Sequence, residues 1–244
     1  MKKIVKIIGI IWMLILLITT SVFLVIYNFG FSGLSDYNKP KDGQIRVACV
    51  GDSITYGHGV FNWKRNHYPS KLQRLLGKEY CVSNFGVSSY CAQYDSSRPY
   101  ANIQTYQDSL DFDADILVFM LGTNDSKPYN WNGVEDFAKD YDKLLSSYLE
   151  NNNDLEVYLC TPATAFDDDP STLESTFDIQ PFAVEEIAQF VRDYASEKGY
   201  NLIDINNLTE NRRDLFLSDL IHPNAKGANV IAEEVYKNIK NKRS

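Results

Sequence analysis

The sequence contains a hydroxyl, a carboxylate and an imidazole that could act together in proton transfer: Ser53, Asp219 and His222. A serine hydroxyl is a weak nucleophile until a neighbouring base removes its proton, and histidine can act as that base. The histidine needs a third group to fix its tautomer, and Asp219 lies three residues before it, so that one turn can hold both side chains. These residues predict a nucleophile, a general base and an orienting acid.

Attack of a serine on an ester also creates a negatively charged oxygen, which needs hydrogen-bond donors aimed at it. The candidate donors are the backbone N–H of Ser53, the backbone N–H of Gly86 and the side-chain amide of Asn124. Gly86 has no Cβ, so its backbone could approach a substrate closely. With these donors the set suffices for the transfer of an acyl group to water.

The elements that must position these residues alternate along the chain. Short apolar runs predict five buried strands, at 45–50, 80–85, 115–121, 155–160 and 201–205. Amphipathic stretches predict helices at 68–76, 134–149, 181–197 and 225–238. This alternation predicts a three-layer α/β/α sandwich with a five-stranded parallel sheet. Ligands bind at the carboxyl ends of such strands, so the candidate residues are expected to meet at one rim of the sheet.

Four short segments at that rim together resemble the SGNH subgroup of the GDSL esterase/lipase family. The matching blocks are Gly51–Thr55 (with Ile54 where the name-giving pattern has Leu), Asn84–Ser88, Gly122–Asp125 and Asp219–Asn224. The resemblance covers about residues 45–240 and implies a flavodoxin-like fold without a metal or organic cofactor. It also implies the roles given above for Ser53, His222, Asp219, Gly86 and Asn124.

The chain departs from the family in the stretch Ser89-Tyr90-Cys91, where many members have small residues. This departure predicts a narrow acyl pocket. Four residues are candidates for substrate binding: Asp52, Trp63, Tyr129 and Trp131. The polar and aromatic segment that contains Tyr129 and Trp131 suits sugar hydroxyls and sugar faces, although packing of the loop is an alternative reading. His58 and His67 are interpreted as ordinary loop residues.

The chain resembles the carbohydrate (sialate-type) O-acetylesterase branch of that family. This resemblance implies a serine esterase that removes small O-acyl groups, above all acetyl, from an extracellular carbohydrate. Three alternatives stay open: a lysophospholipase or thioesterase, a sugar O-acyltransferase, and a glycan-binding module that has lost catalysis. The polar segment at 124–131 does not favour the long apolar groove that a lysophospholipase needs.

The amino terminus predicts a membrane anchor. Residues 7–27 form an uncharged, almost wholly apolar stretch, long enough as a helix to cross a hydrocarbon core of about 30 Å. Lys2, Lys3 and Lys6 precede it, and no basic residue follows until Lys39, so the rest of the chain is expected outside the cell. A cleaved signal peptide, and hence a secreted protein, is the alternative.

The predicted organisation has three parts: an anchor at 1–29, a linker at 30–44 and a hydrolase domain at 45–244. The net charge of −8 argues against nucleic acid as a partner, because phosphate binding needs a basic surface. Four cysteines without a Cys-x-x-Cys pair, and only three histidines, argue against a structural zinc site. Cys49 and Cys160 are expected to be buried, and a disulfide between Cys81 and Cys91 stays open.

Overall fold

A parallel sheet forms the centre of the computed structural model, which describes residues 2–29, 37–166 and 177–243. Its strands are β1 (Ile45–Gly51), β2 (Tyr80–Gly86), β3 (Ile116–Met120), β4 (Glu156–Cys160) and β5 (Asn201–Ile203). All pairings are parallel, in the order β2-β1-β3-β4-β5. This order is flavodoxin-like and reverses its direction at β1 and β3. The predicted five-stranded parallel sheet is confirmed.

Helices connect the strands on both faces of the sheet. They are α1 (Lys2–Phe29), α2 (Ser53–Tyr56), α3 (Trp63–Asn66), α4 (Tyr68–Leu76), α5 (Gln104–Asp111), α6 (Val134–Asn151), α7 (Pro181–Lys198), α8 (Ile205–Thr209) and α9 (Ala225–Arg243). Single 3-10 turns occur at Tyr100–Asn102 and Arg213–Leu215. The short helix α2, which follows β1 without a loop, was not predicted from the sequence.

Two apolar clusters lie on opposite faces of the sheet and make the three layers. Successive residues of a strand point to opposite faces. Val47 and Cys49 of β1 therefore join the cluster that contains residues of α4 and α9. Ala48 and Val50 join the cluster that contains residues of α6 and α7. The strand residues are buried on both faces, which explains why each strand reads as a continuous apolar run.

The four cysteines are all free thiols and all buried. The disulfide left open between Cys81 and Cys91 is therefore not formed. Cys49 and Cys160 lie in the core under the α4–α9 face, as expected. Burial raises the pKa of the Cys49 thiol to about 12, so this group stays protonated and acts as a small apolar side chain.

The strand β5 ends at Ile203 rather than at Ile205 because the next residue begins a helix. Asp204 accepts a hydrogen bond from the backbone N–H of Asn207 at 3.2 Å and so caps α8. The Arg192 guanidinium binds both carboxylate oxygens of Asp204, at 2.9 and 3.2 Å. Burial alone would raise the pKa of Asp204, but these donors outweigh it and hold the pKa below its ordinary value.

The segment before β1 packs on the sheet instead of forming a free linker. Asn38 exchanges hydrogen bonds with Ser83 of the edge strand β2, and its side-chain amide donates to the Val82 carbonyl at 2.6 Å. The Tyr37 ring lies 4.6 Å from the Phe85 ring. Within the described residues, packing against the sheet thus extends back to Tyr37, eight residues before the predicted boundary at residue 45. Residues 30–36 of the predicted linker lie outside the described residues.

The helix α1 contains one stretch, Lys6–Asn28, that is long and apolar enough to cross a membrane. Its mean hydropathy is 2.6, and none of its most apolar window is buried against the rest of the chain. A signal sequence near an amino terminus has the same character. That α1 lies in a membrane, and the side on which the remaining chain would then lie, stay predictions.

Candidate active site

The nucleophile candidate lies in a tight turn from strand to helix. Ser53 is the first residue of α2, and only Asp52 separates it from the end of β1. Asp52 caps this helix, because its Oδ1 accepts a hydrogen bond from the Ile54 backbone N–H at 2.8 Å. The turn brings Thr55 so close to β1 that a Cβ on Gly51 would overlap the Thr55 hydroxyl. Glycine at position 51 therefore permits the turn that carries Ser53 to the rim of the sheet.

The structure brings Ser53, His222 and Asp219 into one chain of hydrogen bonds. His222 Nε2 lies 2.9 Å from Ser53 Oγ, and His222 Nδ1 lies 2.9 Å from Asp219 Oδ2. The other carboxylate oxygen, Asp219 Oδ1, accepts from the backbone N–H groups of Ile221 and His222 at 3.0 and 2.9 Å. Leu220 adopts a positive φ of 57° and so closes the turn that holds both side chains.

The environment of Asp219 keeps the carboxylate ionised. Burial alone would raise its pKa. The hydrogen bonds from the His222 ring and from the two backbone N–H groups outweigh that effect and hold the pKa below its ordinary value. An ionised Asp219 places the proton of neutral His222 on Nδ1, which leaves a lone pair on Nε2 facing Ser53.

Two of the three predicted oxyanion donors are available. The Ser53 backbone N–H is at the first position of α2, where a helix provides no internal acceptor. Asn124 follows β3, and its side-chain nitrogen donates one hydrogen to the Tyr90 carbonyl at 3.2 Å. That bond orients the amide, and Asn124 lines the same pocket as Ser53.

The prediction of Gly86 as the third oxyanion donor is corrected by the structure. Its backbone N–H donates to the Asn84 side-chain oxygen at 2.9 Å and is therefore occupied. A Cβ at this position would overlap the backbone nitrogen of Tyr56, so the glycine allows β2 to pack against α2. Gly86 does not line the pocket.

Ser89 occupies the place that the sequence reasoning gave to Gly86. It lines the pocket, has a positive φ of 73°, and its backbone N–H has no acceptor among the described residues. Positive φ is uncommon for residues other than glycine. A serine gives no sign of such a backbone, and only its position three residues beyond Gly86 hinted at it.

The pocket beside Ser53 encloses a volume of about 40 Å³. It is lined by Ser53, His58, Ser88, Ser89, Thr123, Asn124, Lys127, Phe177, Ile179, Ile221 and His222. The rings of His58 and Phe177 lie 4.6 and 5.1 Å from the His222 ring and so flank the base candidate. The interpretation of His58 as an ordinary loop residue is therefore wrong. Burial, followed by the nearby His222, lowers the pKa of His58.

The four predicted substrate-binding residues do not line this pocket. Asp52 is only 1% exposed and lies beneath Ser53. Trp63 is buried and donates from its ring nitrogen to the Tyr56 carbonyl at 2.6 Å. Trp131 packs against the core cluster that contains α6, with its ring 6.3 Å from the Phe137 ring. These three residues are structural, and the prediction that they bind substrate is corrected.

Tyr129 differs from them because its side chain is exposed to solvent. It is 60% exposed and outside the walls of the pocket, so the structure does not bring it to Ser53. His67, by contrast, fits its structural interpretation. It is buried and caps α4, where its Nδ1 accepts from the Ser70 backbone N–H at 3.1 Å.

The loop after β3 is braced by buried hydrogen bonds. Asp125 accepts from the backbone N–H groups of Ala92 and Gln93 at 3.1 and 2.9 Å. Burial raises the pKa of Asp125 to about 7, although these bonds oppose the rise. Asn130 donates to the Asn124 carbonyl at 2.9 Å. Together these contacts fix Asn124 against the loop that contains Ser89. Within the described ranges, no group of three or more His, Cys, Asp or Glu side chains could hold a metal ion.

Comparisons with known proteins show the family of this chain. The model of the GDSL-like lipase/acylhydrolase family matches residues 49–230. An acetylxylan esterase of Xylanibacter ruminicola is 34% identical over 219 residues, which are 82% of this chain. The chain spans only 44% of the length of that curated relative.

Solved structures show the same fold. A carbohydrate acetylesterase family member from Sinorhizobium meliloti has a TM-score of 0.64 at 21% identity, covering 81% of this chain and 98% of that one. The aryl esterase of M. smegmatis has a TM-score of 0.62 at 18% identity, covering 81% and 99%. At these identities the likeness concerns the fold alone.

Proposed function

The chain belongs to the GDSL-like lipase/acylhydrolase family of ester-hydrolysing enzymes, and we propose that it removes acetyl groups from a carbohydrate with Ser53 as nucleophile. The observation that carries the proposal is the unbroken line from Asp219 through His222 to Ser53, with 2.9 Å at each step. The 34% identity to an acetylxylan esterase supports the choice of an acetylated carbohydrate as substrate.

The geometry fits a two-step mechanism. Ser53 Oγ bonds to the ester carbonyl carbon while His222 Nε2 accepts its proton, and the ionised Asp219 stabilises the imidazolium. The donors of Ser53, Ser89 and Asn124 face the developing oxyanion. The C–O bond then breaks, and His222 returns the proton to the departing sugar hydroxyl. Water, deprotonated by His222, then bonds to the acyl carbon; the bond from that carbon to Ser53 Oγ breaks, His222 returns the proton to Ser53 Oγ, and acetate leaves.

The walls of the pocket favour a small acyl group. Ser88 and Ser89 close one side of the pocket, and Phe177, Ile179 and Ile221 form its apolar part. The Ser88 hydroxyl is buried and makes no hydrogen bond to the described residues, so it is free to bind a ligand. The enclosed volume of about 40 Å³ is far below the range of about 300–1,000 Å³ that drug-sized ligands occupy, which argues against the long acyl chain of a lysophospholipase.

We further propose that α1 anchors the enzyme in the cell membrane with the catalytic domain outside. The lysines before the apolar stretch and the absence of basic residues until Lys39 support this orientation. The substrate is then a carbohydrate of the envelope or of the surroundings. Cleavage of α1 as a signal peptide would instead give a secreted enzyme.

Release of acetate from acetylated xylan and related glycans by the full chain in detergent tests this proposal. Turnover of aryl esters from acetate to octanoate is measured beside it, with Ser53→Ala as the matched inactive variant. We expect acetate to be the best acyl group and Ser53→Ala to lose turnover. Preference for octanoate would favour the lysophospholipase or thioesterase alternative. Acetylated acceptor sugars as the main product would favour an acyltransferase, and binding without turnover a glycan-binding module.

A further inference from the structure

Lys127 is a buried cation in the wall of the active-site pocket. The residue is only 9% exposed, and it lines the same cavity as Ser53 and His222. Lysines are seldom buried, because the ammonium is strongly hydrated and normally extends to water along the surface. In a chain with a net charge of −8, a cation held at this place needs a physical reason.

No partner for the Lys127 ammonium occurs in the part of the chain that the structure describes: it forms no hydrogen bond and no ion pair there. The nearby carboxylates are engaged elsewhere. Asp219 binds His222, Asp125 binds two backbone N–H groups, and one oxygen of Asp52 caps α2. Burial raises the pKa of Asp52, and the charge of Lys127 opposes that rise; the other Asp52 oxygen is buried and makes no hydrogen bond to the described residues. Lys127 therefore has Asp52 as a neighbouring charge, but no hydrogen-bonded partner among the described residues occupies its ammonium.

The backbone of Lys127 belongs to the braced loop after β3. Its N–H donates to the Asn124 carbonyl at 3.4 Å, and its carbonyl accepts from the N–H groups of Asn130 and Trp131 at 2.8 Å each. The ammonium is thus presented from the same turn as the oxyanion donor Asn124. A cation in such a position can bind an anionic group that lies close to the ester under attack.

We propose that Lys127 binds a carboxylate of the sugar that carries the acetyl group, so that the enzyme prefers acetyl esters of acidic sugars to those of neutral sugars. The inference rests on the proposed function and adds the charge of the substrate to it. A charge-assisted hydrogen bond in a partly dry pocket should favour the acidic substrate in kcat/KM by about 10- to 100-fold.

The test compares two substrates that differ in one group. Acetylated methyl glucuronide and acetylated methyl glucoside are incubated with the full chain in detergent, and the released acetate gives kcat/KM for each. We expect the ratio of acidic to neutral substrate to fall about 10- to 100-fold in Lys127→Met and to be partly retained in Lys127→Arg. Lys139→Met is the matched control, because Lys139 is exposed on α6 and pairs with Asp136.

A ratio that is the same in the wild type and in Lys127→Met overturns the proposal, as does a wild-type ratio near one. An equal loss on both substrates also overturns it, since Lys127 would then support the chemistry rather than recognise a carboxylate. Lys127→Gln provides a second variant if Lys127→Met does not fold.

The failure of the proposed function has a separate readout. If neither sugar ester is hydrolysed while aryl acetates are, the carbohydrate substrate is wrong. The pair 4-acetoxybenzoate and methyl 4-acetoxybenzoate, which differ only in a carboxylate, then decides the role of Lys127 by the same ratio.

Discussion

Replacement of Asp219 by asparagine should disable the enzyme through the tautomer of His222 while leaving the fold intact. Asp219 Oδ1 accepts two backbone N–H groups, from Ile221 and His222. In Asp219→Asn the amide oxygen must stay at this place, because an amide nitrogen cannot accept hydrogen bonds. The amide nitrogen then faces His222 Nδ1, which becomes an acceptor, and the ring proton moves to Nε2. A protonated Nε2 cannot take the proton of Ser53.

The expected loss in kcat follows from the free energy needed to rotate the new side-chain amide by 180°, so that its oxygen would face His222. Reversal would leave two backbone N–H groups facing an NH₂ group, at about 1–3 kcal/mol for each unsatisfied donor. A total of about 2–6 kcal/mol for the two donors corresponds to a loss of about 30-fold to about 10⁴-fold in kcat. We expect this loss with an aryl acetate at pH 7.5, together with a melting temperature close to that of the wild type, since both backbone bonds survive.

The matched control is Asp214→Asn. Asp214 is an exposed carboxylate that pairs with Arg212 and Lys226 and lies a few residues before Asp219. The control should keep nearly all of the activity, because Asp214 does not contact His222. If Asp219→Asn retains more than a tenth of the wild-type kcat, the assignment of Asp219 as the orienting acid is wrong.

Three further predictions concern the donors, the packing and an ion pair. Asn124→Ala should lower kcat on aryl acetates about 10²- to 10³-fold by removing an oxyanion donor, and an unchanged kcat would exclude this role. Gly86→Ala should lower the free energy of unfolding in urea by about 1–3 kcal/mol, because its Cβ would overlap the Tyr56 backbone, and wild-type stability would refute this packing role of the glycine. Arg192→Met should lower the melting temperature at pH 7 more than at pH 3. Because the pKa of Asp204 is lower in the folded chain than its unfolded value of 3.8, ionised Asp204 stabilises the fold above pH 3.8. This stabilisation is lost as the pH falls from 3.8 through the folded pKa. A loss in melting temperature that is the same at both pH values would refute the argument.

The sheet and the three candidate catalytic residues could be predicted because their signals are local. A buried parallel strand must be apolar on both faces, so β1 and β3 appear as continuous runs. The spacing between Asp219 and His222 needs only one turn to bring the two side chains together. Ser53 at the end of β1 follows from the rule that parallel strands present their carboxyl ends at one rim.

The walls of the pocket could not be predicted, because they depend on how distant loops fold over one another. Glycine at position 86 suggested a close approach to substrate, but the close neighbour is α2. The positive φ of Ser89 depends on the path of the whole loop and leaves no trace in the residue type. The burial of Lys127 likewise depends on the braced turn after β3 and is not indicated by its residue type.

The prediction that Trp63 and Trp131 bind substrate failed for a related reason. Tryptophans near a nucleophile suggest sugar faces, yet the same rings are also the largest fillers of a core. Trp63 packs on Tyr56, with ring centroids 4.9 Å apart, and Trp131 packs on Phe137. The aromatic rings that contact His222 are those of His58 and Phe177.

The attachment of Tyr37 and Asn38 to the edge strand β2 limits how far the catalytic domain can travel. Only residues 30–36 separate this attachment from the end of α1, and seven residues span at most about 25 Å however they are arranged. With α1 in a bilayer, the catalytic domain would stay close to the membrane surface, within a distance about equal to the diameter of one small domain. It would meet esters borne on lipid-linked or wall-bound chains at a high local concentration, whereas a polymer free in the medium would have to diffuse down to it.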